Sequence, residues 1–174
     1  MNIVEESTWE GRPLKISWHD STFVPPRELI TQASGLCFTN DSKIVLVTTN
    51  GKTWQLAGGQ PEVGETIEDA FVREVAEEAC ATVNHLSYLG TQEVNDPYSP
   101  TGLTTYYQVR FWARVTLDEF RSEHEMLARK CTEPLDVKTT LNWHTERIFD
   151  VMFQSAIEYE KRFIANQESP SKNK

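Results

Sequence analysis

The window 58–82 restricts this chain more than any other stretch, because a glycine-rich run there leads straight into an acidic pattern of helical period. Gly58, Gly59 and Gly64 resist a regular element, since a residue without Cβ loses the most freedom on being ordered. Backbone amides are therefore exposed along that loop. From Thr66 to Ala79 the apolar residues Ile67, Ala70, Phe71, Val75 and Ala79 recur at helical spacing, and Thr66 with Asp69 three residues on reads as a capping pair. A helix is predicted over 66–79.

That helix carries Glu74, Glu77 and Glu78, and offsets of three and four residues place all three carboxylates on one face. Like charges so placed repel by a few tenths of a kcal/mol per pair even when solvated. A wet face partly offset by Arg73 is one reading of the pattern. The whole window, however, holds seven acids and one base, a net of -6 against -9 for the entire chain. Hard divalent cations take oxygen ligands, and Mg²⁺ in particular is held by one or two carboxylates, waters and substrate phosphates. The glycine loop meets the helix at its N-terminus, where free amides and the positive end of the dipole favour anions. Loop and helix together predict a grip on a metal-diphosphate complex.

Around this window the chain alternates strand and helix signals. Residues 1–30 mix Trp9, Trp18 and Phe23 with Pro13, Pro25 and Pro26, which predicts short strands and turns. Ser34–Phe38, the turn 39–43 and Ile44–Thr49 read as a hairpin. Leu86–Val94 and Tyr106–Val115 have the β-branched and aromatic content of strands, joined by a loop at 96–102 that is expected to lie over a pocket. Between Glu146 and Ala165, Ile148, Met152, Ser155, Tyr159 and Phe163 trace one face of a second helix. This order predicts an α/β fold, an α/β/α sandwich with a mixed β-sheet between helices. At 174 residues the chain has room for one domain, assigned to 1–166, with a disordered tail at 167–174.

Composition narrows the classes. The net charge of -9 argues against wrapping a polyanion, which requires Lys and Arg on phosphates. No run of about 18 apolar residues predicts a membrane span, and the acidic N-terminus has no leader pattern, so the expectation is a soluble, cytoplasmic protein. Cys37, Cys80 and Cys131 are odd in number and widely spaced, which offers neither a disulfide framework nor a CxxC metal site.

Gly59, five residues, Glu65, seven residues, then Arg73-Glu74-Val75-Ala76-Glu77-Glu78 resembles the Nudix box. At ordinary residue usage the chance of such a match in a chain of this length is on the order of 10⁻⁵. The box spans Gly59 to Ala81 and departs from the family pattern at two positions, where Cys80 and Ala81 replace a glycine and an aliphatic residue. The family's glycine leaves the helix in a left-handed conformation, which a cysteine adopts only with strain. The helix is accordingly expected to run on for another turn.

The resemblance implies a Nudix hydrolase that splits a diphosphate linkage with Mg²⁺, or with Mn²⁺ in its place. It implies metal ligation by Glu74, Glu77, Glu78 and a loop carbonyl near Gly58, with Arg73 orienting the glutamates through a pairing with Glu65. The general base in the family often comes from the box or a later loop; Glu125 is favoured here over Glu119 and Glu123. The implied partner is a small nucleotide-type substrate: a nucleoside triphosphate, ADP-ribose or a sugar nucleotide. The loop Pro97–Gly102 partly resembles that of ADP-ribose pyrophosphatases, although Thr101 interrupts the turn. Tyr98, Tyr106 and Trp143 are candidates to stack on a base; no substrate-binding residue is assigned. A homodimer is expected from the family, and the alternative function is a catalytically silent nucleotide sensor.

Overall fold

Alternation along the strands sends side chains to two opposite faces of one mixed sheet, and each face is covered by a helix. The computed structural model describes residues 3–168. A hairpin of β1 (Ile3–Trp9) and β2 (Arg12–Asp20) leads through a 3-10 turn into β3 (Ile30–Phe38) and β4 (Ile44–Thr48). The two-residue β5 (Gly58–Gly59) precedes α1 (Ile67–Ala79), followed by the long pair β6 (Ala81–Asn95) and β7 (Thr105–Leu117). β8 (Ala128–Thr132), a single-turn α2 (Val137–Leu141) and α3 (Glu146–Glu168) complete the chain. The strand order is β1-β2-β6-β7-β3-β4-β8, with β5 pairing β3 off that path. β3 and β7 run parallel and the other pairs run antiparallel, which makes the sheet mixed as expected.

The period of two decides which layer each residue joins. Along β4, Val45 and Val47 enter the core under α1, whereas Ile44 and Leu46 enter the core under α3. Along β7, Val109, Phe111, Ala113 and Val115 face α1, where Phe111 stacks on Phe71 with centroids 4.9 Å apart. Gly35 lies beneath that stack, and a Cβ there would overlap the Phe111 carbonyl and the Phe71 ring. The opposite face of β7 carries Gln108, Arg110, Trp112 and Arg114, a polar pattern that α3 and the segment before it nevertheless cover.

Three expectations need correction or extension. The helix does not run on past Ala79: Cys80 takes the left-handed conformation (φ 46°, ψ 56°) despite its Cβ. The reason is tertiary, because Arg129 Nη1 reaches the Ala79 carbonyl at 2.6 Å and the Cys80 carbonyl at 2.9 Å, and the Asp118 amide also donates to the latter. Gln167 and Glu168, assigned to a tail, belong to α3, and the rest of that tail, 169–174, lies outside the described residues. β8 and α2 were not anticipated; β8 edges the sheet by pairing with β4. Among the described residues, no helix is long and apolar enough to cross a membrane.

Candidate active site

The site is built where the β5 corner meets the polar face of α1. Thr66 caps the helix, its Oγ1 accepting from the Asp69 amide at 3.0 Å, as the capping pattern predicts. Ala70, Phe71, Val75 and Ala79 are buried against the sheet, which turns Arg73, Glu74, Glu77 and Glu78 toward the loop. The N-terminal half of the box is clamped by Arg27, which donates to the Glu62 and Glu65 carbonyls.

Two glycines make the corner possible for different reasons. Gly58 has φ 148°, and a Cβ on it would collide with the backbone of Ala33 and Ser34, the strand it pairs with. Gly59 has ordinary backbone angles, but a Cβ there would occupy the space taken by the Glu74 carboxylate. Contact between Glu74 and the loop therefore depends on the missing side chain.

Arg73 is the hub of the acidic face. It holds Glu65 with two parallel bonds, Nε to Oε1 at 3.0 Å and Nη2 to Oε2 at 3.1 Å. Its Nη1 also donates to Glu74 at 2.8 Å and reaches Glu77 at 3.3 Å, and Nη2 reaches the Gln60 carbonyl. The Glu65 carboxylate, bonded first by Arg73 and then by the Glu62 amide, is held below its usual value of 4.5.

Glu78 stands apart from this hub. Its Oε2 accepts from the Gly58 amide at 2.8 Å, the bond that ties helix to corner. Burial pushes its carboxyl up to about 7, and the negative charges of Glu74, Glu125 and Glu77 push the same way, against the lowering effect of the Gly58 amide. The structure thus gathers Glu74, Glu77, Glu78 and Gly58, and it brings the exposed Glu125 within electrostatic reach of Glu78. Glu119 and Glu123 go elsewhere: with Cys80, Arg121, His124 and one side of Glu77 they line a separate cleft of about 460 Å³.

The donor chemistry suits a hard divalent cation. Three glutamates share one guanidinium, and burial, aided by the neighbouring negative charges, resists ionisation of Glu78. Among the described residues no three Asp, Glu, His or Cys side chains already converge as a closed ligand set. Glu74 is engaged by Arg73 and Glu78 by the Gly58 amide, so ligation requires their carboxylates to be shared or turned.

The expected pocket lid is only partly realised. Pro97 joins Asn95, Leu14 and His144 around a groove of about 660 Å³, but Tyr98 projects into solvent, 66% exposed. Trp143 does line a cavity, together with residues that sequence reasoning passed over: Arg110, Gln32, Gln92, Gln108 and Trp54. The available signal was a run of polar residues at alternate positions of a strand, which reads as a wet face unless a helix is known to cover it.

A helix-and-corner acidic site on an α/β/α sandwich defines a class, and comparison with known proteins gives the family. The model of the NUDIX domain matches residues 29–152, and the chain belongs to the Nudix hydrolase family, whose members typically use a divalent metal. Among solved structures it is similar to a pyrophosphohydrolase from Bacillus subtilis, at 18% identity over 91% of this chain and 97% of that one, with a TM-score of 0.64. It is also similar to a NUDIX hydrolase from Nitrosomonas europaea, at 19% identity over 71% and 86% of the two chains, TM-score 0.55. A MutT described for Aliivibrio salmonicida and Vibrio cholerae aligns at 19% identity over 73% and 98%, TM-score 0.54. These likenesses establish the shared fold. No curated protein matches the chain.

Proposed function

We propose that the protein hydrolyses a diphosphate linkage within a nucleoside diphosphate joined to another group, using Mg²⁺ or Mn²⁺ held by Glu74, Glu77, Glu78 and the Gly58 carbonyl. The observation that carries this reading is the meeting of Glu78 with the Gly58 amide inside a cluster of carboxylates that Arg73 partly offsets. A cation bound there supplies charge neutralisation on the diphosphate oxygens and a more acidic water.

The chain's own residues do the rest. Arg73 keeps Glu74 and Glu77 on the loop side of α1, and Glu65 holds Arg73 in turn by a two-pronged pair that fixes the guanidinium plane. Gly59 leaves room for the Glu74 carboxylate at the corner. In this reading Glu125, the late acid whose charge is felt at Glu78, takes the proton of the attacking water. Fixed charges of this kind act where charge develops in the transition state, and they need no reorganisation during the reaction.

The test is release of phosphate products from nucleoside triphosphates, ADP-ribose and sugar nucleotides with Mg²⁺, with and without chelator. Chelator-sensitive release is expected from one class of compound. The Glu78→Gln variant is expected to keep its circular dichroism while turnover falls at least about tenfold, roughly 1.4 kcal/mol in the barrier. Unchanged turnover in a folded Glu78→Gln variant would remove this assignment.

A further inference from the structure

The segment 118–127 leaves the sheet at the end of β7 and returns to it as β8, where Arg129 is the register partner of Val47. From there Arg129 Nη1 donates to the Ala79 carbonyl at 2.6 Å and the Cys80 carbonyl at 2.9 Å, and Nη2 donates to the Asp118 carbonyl at 3.0 Å. The Asp118 amide donates in turn to the Cys80 carbonyl at 2.9 Å. One side chain just past the far end of the segment thus clasps its near end and the exit of the helix that carries Glu78. A cap for α1 would need the first two bonds alone; the third brings in a second stretch of chain. A guanidinium is a rigid planar fork, so the carbonyls met by its two terminal nitrogens are kept a fixed span apart. The Phe120 ring, 5.6 Å from the guanidinium carbon, covers the junction.

Between its two ends the segment faces α1 across the cleft of about 460 Å³, with Ala76, Glu77 and Cys80 on one side and Glu119, Glu123 and His124 on the other. Its later half is held from below. Ser122 Oγ donates to the Met126 carbonyl at 2.8 Å, Met126 is buried in the core under α1, and the Leu127 amide donates to the Thr48 carbonyl at 2.7 Å. Glu125 is exposed, one residue before Met126 and four before Arg129, and among the described residues its carboxylate makes no hydrogen bond or ion pair. Its charge is nevertheless felt at Glu78. The place of this acid is therefore set by the backbone that carries it, and that backbone is joined to α1 through Arg129.

We propose that Arg129 is a positioning residue of the hydrolysis, which joins the exit of α1 to both ends of the segment 118–127 and so holds Glu125 near Glu78. The inference rests on the diphosphate-hydrolase reading and on the part Glu125 takes in it. Arg129 acts through main-chain carbonyls rather than by contact with either acid. Without the guanidinium, the carbonyls of Ala79 and Asp118 turn to water, and the segment opens locally while the sheet stays folded. A general base displaced by about 1 Å no longer meets the proton it must take, so turnover falls while binding of the substrate is spared.

The experiment is a double-mutant cycle of Arg129→Met and Glu125→Gln, read as kcat and KM with Mg²⁺ on the nucleoside triphosphate, ADP-ribose or sugar nucleotide that the parent protein turns over fastest. Each single variant is expected to lower kcat at least about fivefold with KM within about threefold, and Arg129→Met to lower kcat less than about twofold further in the Glu125→Gln background. In hydrogen exchange of the metal-free protein, Arg129→Met should speed the Asp118 and Leu127 amides at least about tenfold and leave the amides of β3 as in the parent. Equal losses from Arg129→Met in both backgrounds overturn the proposal, because Arg129 then supports the fold or α1 rather than Glu125. So does an unchanged kcat, or unchanged exchange at both amides, in a folded Arg129→Met variant. Should Arg129→Met fail to fold, Arg129→Lys, which keeps the charge without the fork, takes its place in the same cycle. A parent protein with no chelator-sensitive turnover strikes the diphosphate reading and this inference with it. Full turnover in Glu125→Gln strikes this inference and the role of Glu125 while the metal site stands, and additive losses strike this inference alone.

Discussion

Arg73 spreads its donors over Glu65, Glu74, Glu77 and the Gln60 carbonyl, so one side chain orders much of the acidic face of α1. Its link to Glu65 has a measurable signature. The folded-state carboxyl of Glu65 lies below its unfolded value of about 4.5, so it contributes stability that is fully present above that pH. This contribution is lost as pH falls through the depressed folded value. Glu65→Gln is therefore expected to lower the urea midpoint at pH about 7, with the gap from the parent protein closing as the pH is taken below about 4. A gap that does not change with pH would show that the pair adds nothing to stability. The pairing was expected only through the resemblance to the Nudix box, since Glu65 lies in the entry loop and spacing by itself does not bring it to Arg73. The demand on Gly59 was not expected, since it arises from where Glu74 turns.

At the scale of elements, the end of α1 shows tertiary contacts overriding local preference. A non-glycine residue in the left-handed region costs roughly 1 kcal/mol, yet Cys80 adopts it because the helix carbonyls are met by Arg129 and the chain must enter β6 at Ala81. A cation at a helix C-terminus is favourable in its own right. The Cys80 thiol adds only weak contacts, accepting from the Arg121 amide at 3.4 Å and donating to its carbonyl at 3.5 Å. Cys80→Gly is accordingly expected to raise stability by about 0.5–1 kcal/mol in urea denaturation. A clear loss would mean that those sulfur contacts outweigh the backbone strain. The existence of α1, its start at the Thr66 cap and its apolar face were readable from spacing alone; its exit was not, because Arg129 lies on a different strand.

Across the whole molecule, two cores share one sheet, and α3 is fastened to its side by a buried acid. Glu160, 4% exposed, accepts from Ser42 Oγ at 2.8 Å in the turn before β4 and from Trp112 Nε1 at 3.2 Å and Arg114 Nη1 at 2.8 Å on β7. Arg114 also lies 4.9 Å from the Phe163 ring centroid, so it binds α3 twice. Removing the acid strands a largely buried guanidinium. Glu160→Ala is expected to cost about 3 kcal/mol in a urea melt, while chelator-sensitive turnover below the melting range stays within about twofold, since α1 packs on the opposite face. A cost under about 1 kcal/mol would show that α3 is held by its apolar contacts with Leu36, Phe38 and their neighbours.

By itself the sequence determined the features that depend on chain geometry over a few residues. The 3.6-residue period of α1, the Thr66 cap, the strand character of β4 and the grouping of Glu74, Glu77 and Glu78 all follow from the residues along one element. Tertiary structure alone decided which polar residues of β7 are wet and which are buried, because the face carrying Gln108, Arg110 and Arg114 takes its character from the helix laid over it. It also decided that Glu125 comes near Glu78 while Glu119 and Glu123 line a different cleft. Those outcomes depend on contacts between distant segments, and burial, charge compensation and the shape of a cavity are properties of the packed layers rather than of any stretch of chain.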